Sequence, residues 1–302
     1  MPSYTTDFYN EIKDGSRRSA ERVVPLVMDL LHPERVVDVG CGVGTWLAVF
    51  QAHGVGEILG IDGSWVNQSE LHIPPECFRS CDLTSPLPLE ERFDLVVSLE
   101  VAEHLPEQFA EAFVDNLTRL GPVVLFSAAI PYQGGTHHVN EQWPAYWAKY
   151  FAARGYVAVD CLREQIWDDD TVEWWYAQNI LLFVARAHLE RHLKRKTALS
   201  PVTSTPRSLV HPRRYLEAMQ QLSAEQRKDV PDDWKKGRAL FHKDCLTEAR
   251  ASFWLVLRRT PLHWRLEAKL LTAPGPSGLS KTWKLLIAPP ADGPPRGRSE
   301  PM

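Results

Sequence analysis

Cysteine is scarce in this chain of 302 residues, with five in all (Cys41, Cys77, Cys81, Cys161 and Cys245). No two stand in a CxxC pair, and an odd number argues against a disulfide framework. A reducing, cytoplasmic setting is therefore expected. Long apolar runs are missing as well. The longest, near 122–131 and 180–187, fall far short of the roughly 20 residues that cross a bilayer, so no membrane span is expected. Residues 1–10 are polar and aromatic, unlike a secretory signal. Nor is there an excess of positive charge. Thirty-four Lys and Arg stand against 38 Asp and Glu, a net charge of -4, and no basic field draws the chain to nucleic acid; no nucleic-acid partner is expected. What is plentiful is tryptophan, 11 residues, several of them between Trp143 and Trp175.

The apolar periodicity alternates between two kinds. Val23, Val24, Val27, Leu30 and Leu31 predict a helix over 16–31, with Pro25 marking its first turn or a kink. Strand-like runs follow at 35–39, 57–61, 78–83, 93–99, 122–128, 156–160 and 179–185, and helical patterns at 45–53, 107–120 and 143–154. Strands alternating with helices predict an α/β fold, a seven-stranded and mostly parallel sheet with helices on both faces. Only a loop, 161–178, is expected between the last two strands, which makes that pair antiparallel. From 188 to 206 a basic cluster (Arg191, Lys194, Arg195, Lys196) gives way to Ser, Thr and Pro, the composition of a linker. Residues 207–272 have a helical pattern, and 273–302, rich in Pro, Gly and Arg, read as a disordered tail.

The strongest signal is Val36-Val37-Asp38-Val39-Gly40-Cys41-Gly42-Val43-Gly44-Thr45. An apolar strand ends in a glycine-rich turn that opens a helix, where free N–H groups and the helix dipole meet a ligand. Nucleotide dehydrogenases use a similar loop, but their fingerprint places a third glycine where Thr45 stands. Asp38 suits a ligand with an ammonium group. Asp62, ending the second strand, suits a ribose diol. Asp82, followed by Leu83 after the third strand, suits an adenine amino group. S-adenosylmethionine carries all three groups. Cys41 within the turn reads as a small packing residue.

On these residues the chain resembles the class I S-adenosylmethionine-dependent methyltransferases, over residues 1–187. The segment Phe93-Asp94-Leu95-Val96-Val97-Ser98-Leu99-Glu100-Val101-Ala102-Glu103-His104-Leu105 is similar to the fourth-strand region of the branch acting on small molecules and saccharides. The resemblance implies the Rossmann-like fold, the cofactor, and a cofactor site of Asp38, Gly40, Gly42, Gly44, Asp62, Asp82, Leu83, Leu99 and Glu100. A narrower likeness runs through Phe126-Ser127-Ala128-Ala129-Ile130-Pro131, Gln133-Gly134-Gly135, His138-Val139-Asn140-Glu141-Gln142-Trp143-Pro144 and Trp174-Trp175-Tyr176-Ala177-Gln178-Asn179. It resembles a bacterial subgroup linked to glycan and natural-product modification. That subgroup commonly has Arg where Ala177 stands here.

Methyl transfer to an alcohol needs alignment and removal of a proton. His138 is the expected base, His137 its spare, and Asn140 and Glu141 are expected to orient base or acceptor. Paired histidines with Glu141 also resemble a metal-binding set, but they supply too few donors, and no metal is expected. Glu103 and His104, at a helix start, read as structural. The aromatic cluster (Trp143, Trp147, Trp167, Trp174, Trp175, Tyr176) serves either a sugar-like acceptor or the core. Gly237, Ala249, Phe253 and Pro261 match one tetratricopeptide-like helix pair. A lone pair buries its face poorly and calls for another surface, in this chain or a second copy. The expected activity is O-methylation of a saccharide or glycosylated natural product. Alternatives are N- or carboxyl O-methylation of a small molecule or peptide, and a catalytically silent adaptor.

Overall fold

The computed structural model describes residues 6–189, 202–203, 206–221, 265–273 and 280–288. The chain divides into two compact units, Met1–Arg207 and Ser208–Met302. The first unit is built on β1 (Arg35–Val39), β2 (Glu57–Asp62), β3 (Phe78–Ser80), β4 (Leu95–Leu99), β5 (Val123–Ser127), β6 (Tyr156–Val159), β7 (Leu181–Ala185) and β8 (Val202–Thr203). Their order across the sheet is β3-β2-β1-β4-β5-β7-β6-β8. The first five strands pair in parallel, and β7 runs antiparallel to both β5 and β6. The expected seven strands and antiparallel last pair are thus present. The expected linker at 188–206 is corrected at one point: Val202 and Thr203 pair with β6 and extend the sheet.

Successive strand residues face opposite sides. Val36, Leu95, Val97, Val123, Leu125, Leu182 and Val184 join one core cluster with α1 (Thr6–Leu31) and α2 (Thr45–Ala52). Val37, Val96, Val124, Phe126, Leu181 and Phe183 join the other, with α3 (Ala110–Leu120) and α4 (Pro144–Ala153). Both faces being covered, these strands read as continuous apolar runs. The first helix begins ten residues earlier than the apolar pattern indicated, and Pro25 lies in its interior rather than at its first turn. Two short helices, α5 (Arg163–Ile166) and α6 (Trp174–Asn179), occupy the stretch expected to be a loop. No helix among the described residues is long and apolar enough to cross a membrane.

In the second unit a helix covers Pro212–Gln221, while β9 (Arg265–Ala273) and β10 (Ser280–Ala288) form an antiparallel pair. The helix agrees with the expected pattern, whereas the strands depart from the helix expected at 265–272 and from the tail expected at 280–288. Leu266, Leu270 and Leu271 have helix-like spacing, and short apolar runs do not distinguish helix from strand until a partner is known. The tetratricopeptide-like positions, Gly237, Ala249, Phe253 and Pro261, lie outside the described residues.

One buried ion pair ties the late elements of the first unit together. Arg163, 1% exposed, donates to Asp160 through Nε at 2.9 Å and Nη2 at 2.6 Å. It also donates to the carbonyls of Gln178 and Arg207. Burial alone raises the Asp160 carboxyl, but hydrogen bonds and charge from Arg163, with help from Arg207, hold it below the ordinary range. Replacing Arg163 with Leu strands a buried carboxylate. The loss expected from urea unfolding is about 3–5 kcal/mol, less whatever Arg207 recovers. Because the folded pKa is depressed, this stabilisation is present above the unfolded value near pH 4 and fades as the pH falls through the folded one. Unfolding of the wild type and Arg163→Leu between pH 7 and pH 3 should therefore converge toward the acid end; parallel curves would contradict the assignment.

Candidate functional site

The strand order reverses between β1 and β4, which leaves a crevice at their carboxyl ends. The glycine loop fills one side. Gly40 and Cys41 donate their amides to the carbonyl of Ile61, at 2.7 and 3.2 Å. Gly40, Gly42 and Gly44 all have positive φ (89°, 53° and 82°), and Gly44 caps α2. Asp62 accepts from the amides of Gly42 (2.7 Å) and Gly63 (2.6 Å). The carboxylate that reads as a ribose acceptor thus also pins the loop to β2. Asp38 and Asp62 are 3% and 7% exposed. Burial, then the charge of Asp62, raises Asp38 well above the usual carboxylate range. Burial also raises Asp62, against the amides of Gly42 and Gly63 and the indole of Trp65.

Asp82 differs from the other two acids. It is exposed, and its oxygens accept from the amide and hydroxyl of Thr84 and the hydroxyl of Ser85. These bonds, led by the Thr84 hydroxyl, hold it below the usual range. Leu83 is buried in the α3-side core and Leu99 in the α1-side core. Sequence reasoning passed over Trp65, which is 77% exposed and whose ring occupies the space where Gly63 would carry a Cβ. An indole two residues after the glycine that follows the second-strand acid is the signal that was available.

Glu100 directly follows β4, at φ 55°, a left-handed conformation held by its surroundings. Its amide donates to the carbonyl and hydroxyl oxygens of Ser127. Its carboxylate accepts from Gln133 at 2.8 Å and Asn179 at 3.1 Å. Burial raises the Glu100 carboxyl, and Asn179, Ser127 and Gln133 oppose that rise. Gln133 Oε1 in turn accepts from Gln178 and Asn179. Gln133, Gln178 and Asn179 stand in the segments that carried the narrower resemblance, but no spacing rule ties Gln133 and Asn179, 46 positions apart, to one carboxylate.

Glu103 lies in a single 3-10 turn, Ala102–His104. Its carbonyl accepts from the amides of Val139 and Asn140, which draws the loop after β5 onto the end of β4. Through that contact His138 comes to His104, with ring centroids 4.8 Å apart at 86°. His138 Nδ1 lies 3.0 Å from Glu141 Oε1, which also accepts from the amide of Gly134 at 2.7 Å. An ionised carboxylate only accepts, so in the neutral ring Nδ1 carries the proton and Nε2 keeps a lone pair. His137 is exposed, at φ 60°. The structure therefore groups His138 with Glu141, Glu103 and His104, and leaves His137 apart from that hydrogen bond. Glu103 was read as structural at a helix start; the contact that changes its setting spans 35 residues of sequence.

Most of the aromatic cluster is core. Trp147, Trp167, Trp174 and Tyr176 are buried; Trp147 packs on Phe126 and Tyr176 on Trp46. The exposed large apolar side chains among the described residues are Trp65, Tyr132 and Val139. The last two flank the His138 loop.

The methyltransferase domain family matches residues 13–195, and the chain belongs to that family. A ubiquinone biosynthesis O-methyltransferase of Rhodopseudomonas palustris (strain BisB18) is 27% identical over 143 residues, 45% of this chain and 51% of that protein. The chain thus matches about half the length of that relative. Among solved structures, magnesium protoporphyrin IX methyltransferase from Synechocystis PCC 6803, crystallised with bound SAM, is 24% identical. It covers 61% of this chain and 86% of its own, with a TM-score of 0.44. DesVI of Streptomyces venezuelae is 16% identical over 59% of this chain and 97% of its own, TM-score 0.47. The small RNA methyltransferase HEN1 is 17% identical over 56% of this chain and 25% of its own, TM-score 0.42.

The glycine loop makes a graded prediction. A Cβ at Gly42 meets nothing within 4 Å, whereas one at Gly40 lies 2.3 Å from Val101 Cγ2. Gly42→Ala should lose only the left-handed backbone preference, about 1–2 kcal/mol. Gly40→Ala should lose a further ~1–3 kcal/mol from overpacking. Denaturant unfolding of both variants measures the difference, and equal losses would be inconsistent with this loop geometry.

Proposed function

We propose that this methyltransferase transfers the methyl group of S-adenosylmethionine to a hydroxyl of a saccharide or glycosylated natural product, with His138 activating that hydroxyl. The observation that carries the cofactor reading is the pair Asp38 and Asp62. Both are buried and raised above their usual range beside a glycine loop and a helix N-terminus, a setting that favours a positively charged ligand. Asp38 meets the ammonium group of the cofactor, Asp62 the ribose hydroxyls, and Asp82 with the backbone at Leu83 the adenine. Gly40, Gly42 and Gly44 let the ligand approach the main chain, with Leu99 and Glu100 beside its methionine end. Trp65 offers its exposed face next to the ribose acid.

The acceptor meets the methyl group near the loop after β5. Its hydroxyl oxygen forms the bond to the methyl carbon, and the C–S pair returns to the sulfonium sulfur, leaving S-adenosylhomocysteine. With no ion at the site, the hydroxyl proton passes to His138 Nε2. Glu141 fixes the ring and stabilises the charge that results. Exposed Tyr132 and Val139 offer apolar surface to the carbon face of a sugar. An amine or carboxylate acceptor is the rival reading, and a carboxylate needs no base. Net negative charge does not exclude a nucleic-acid acceptor, since a small RNA methyltransferase is among the similar solved structures; an acceptor screen therefore includes RNA.

Asp62 also holds the glycine loop, so its removal alone does not isolate a ribose contact. A cycle with ligand and protein both changed does. S-adenosylhomocysteine lacking the ribose hydroxyls should bind the wild type about 1.5–3 kcal/mol more weakly than the parent ligand. It should bind Asp62→Ala no more weakly than the parent does. Calorimetric titration of the four pairs reads this directly, and an equal penalty in both proteins rejects the contact.

Turnover tests the chemistry. His138→Ala should lower kcat by about 10²–10⁴-fold, the usual worth of general-base assistance, with cofactor affinity unchanged. His137→Ala should lose less. A fully active His138→Ala enzyme would point to an acceptor that arrives already ionised. Tight cofactor binding with no turnover on any acceptor class would favour the adaptor reading.

A further inference from the structure

Glu103 is completely buried, at 0% exposure, and neither of its carboxylate oxygens has a partner that meets hydrogen-bond geometry. Buried polar groups are ordinarily satisfied, and an exception calls for an explanation. The contrast with Glu100, three residues earlier, is instructive. Both oxygens of Glu100 are taken, by Gln133 and Asn179, whereas the Glu103 carboxylate has only the nearby amides of Ala129 and of its own residue, and the neighbouring Glu100 works against its charge. Folding does not leave Glu103 free to escape, because its own carbonyl is clamped by the amides of Val139 and Asn140.

The surroundings supply what a buried carboxylate lacks. One ligating atom each from Glu103, His104 and His138 lies within 4.8 Å of the other two. With Nδ1 paired to Glu141, the neutral ring of His138 presents its lone pair at Nε2. A carboxylate bonded to the far nitrogen of an imidazole is the usual support of a metal-binding histidine. Glu141 is itself fixed by the amide of Gly134. His104 lies at the solvent-exposed side of the cluster, which leaves an entry path.

We infer that Glu103, His104 and His138 form a binding site for one divalent first-row transition ion, with Glu141 as the residue that positions His138. Two imidazoles and one carboxylate suit zinc, manganese or cobalt better than magnesium or calcium, which prefer all-oxygen sets. Three protein donors also leave coordination positions open, as catalytic sites do. On the reading under Proposed function, which this inference deepens, the ion lies where the acceptor hydroxyl is activated. It supplies Lewis acidity toward the hydroxyl oxygen and lowers that group's pKa. The proton then goes to solvent water, and His138 serves as a ligand in place of its role as base. The sequence placed His137, His138 and Glu141 together as the metal-like set; the fold substitutes Glu103 and His104 for His137 and moves Glu141 behind the ring.

The test reads ion binding apart from methyl transfer. Tag-free, full-length protein is stripped with chelator, and Zn²⁺ and Mn²⁺ are titrated by calorimetry, with Co²⁺ as an absorption probe. The wild type should bind one ion per chain. Glu141→Gln, which alters only the support of a ligand, should weaken binding about 10–100-fold. Glu103→Gln and His104→Ala, which each remove a ligand, should lose at least that much. Surface His53→Ala should bind as the wild type does. His104 lies at the exposed side, so His104→Ala keeps the inference testable if Glu103→Gln does not fold. Wild-type affinity no greater than that of Glu103→Gln and His104→Ala overturns the inference, and so does a folded Glu103→Gln with unchanged affinity. Ion binding without methyl transfer to any hydroxyl would reject the proposed acceptor chemistry and leave the site standing. Methyl transfer at full rate by the stripped, chelator-treated protein would overturn the ion's part in activating the hydroxyl and leave the acceptor chemistry standing.

Discussion

Glu100 accepts from Gln133 and Asn179 while its amide donates to Ser127, so the end of β4, the end of β5, the loop that follows and α6 all converge on one residue. The left-handed backbone at Glu100 turns the chain sharply enough for Val101 to abut the glycine loop and for Glu103 to reach the loop after β5. The glycine loop and the loop after β5 therefore share one rigid corner. Such a corner is expensive to leave half-satisfied, because each member is withdrawn from water. Its full bonding explains why three amide side chains, Gln133, Gln178 and Asn179, are buried around a carboxylate.

Charge is distributed unevenly over this frame. Asp38, Asp62, Glu100 and Glu103 are all raised above the ordinary carboxylate range, in each case with burial as the largest cause. The charges of Asp62 on Asp38 and of Glu100 on Glu103 add to it. Acids crowded out of water gain most from a cationic partner, and S-adenosylmethionine carries two positive centres. The ion pair of Asp160 with Arg163 is the opposite case. There the counter-charge is part of the chain, the carboxyl is lowered, and the pair fastens β6, α6 and the segment up to Arg207. Burial dominates in the first four; the last is balanced by its own counter-charge and holds the scaffold.

The tryptophans illustrate how composition misleads about function. Trp147, Trp167 and Trp174 fall in the region expected to meet the acceptor, yet they are buried in packing. Large aromatic side chains contribute apolar area wherever they lie, and core demand claims them first. The aromatic groups left facing solvent near the site, Trp65 and Tyr132, were not distinguished by sequence. In the second unit a paired ribbon at 265–273 and 280–288, formed by β9 and β10, stands where helix and tail were expected, since strand pairing depends on a partner that local spacing does not reveal.

The amino-acid order determined the alternation of strands and helices, the antiparallel last pair and the glycine turn between β1 and α2. Each of these follows from local periodicity, or from the backbone freedom of glycine. It also named Asp38 and Asp62, because the ends of successive strands must open onto one crevice. Tertiary structure alone decided that Glu103 and His104 meet His138. That contact requires the amides of Val139 and Asn140 to reach a carbonyl 36 and 37 positions earlier, and no local pattern encodes it. Tertiary structure likewise decided that Glu141 supports His138 from behind and that Gln133, Gln178 and Asn179 surround Glu100. Hydrogen bonds between distant segments form only where packing has already brought their backbones together, so their partners are fixed by the fold and not by spacing along the chain.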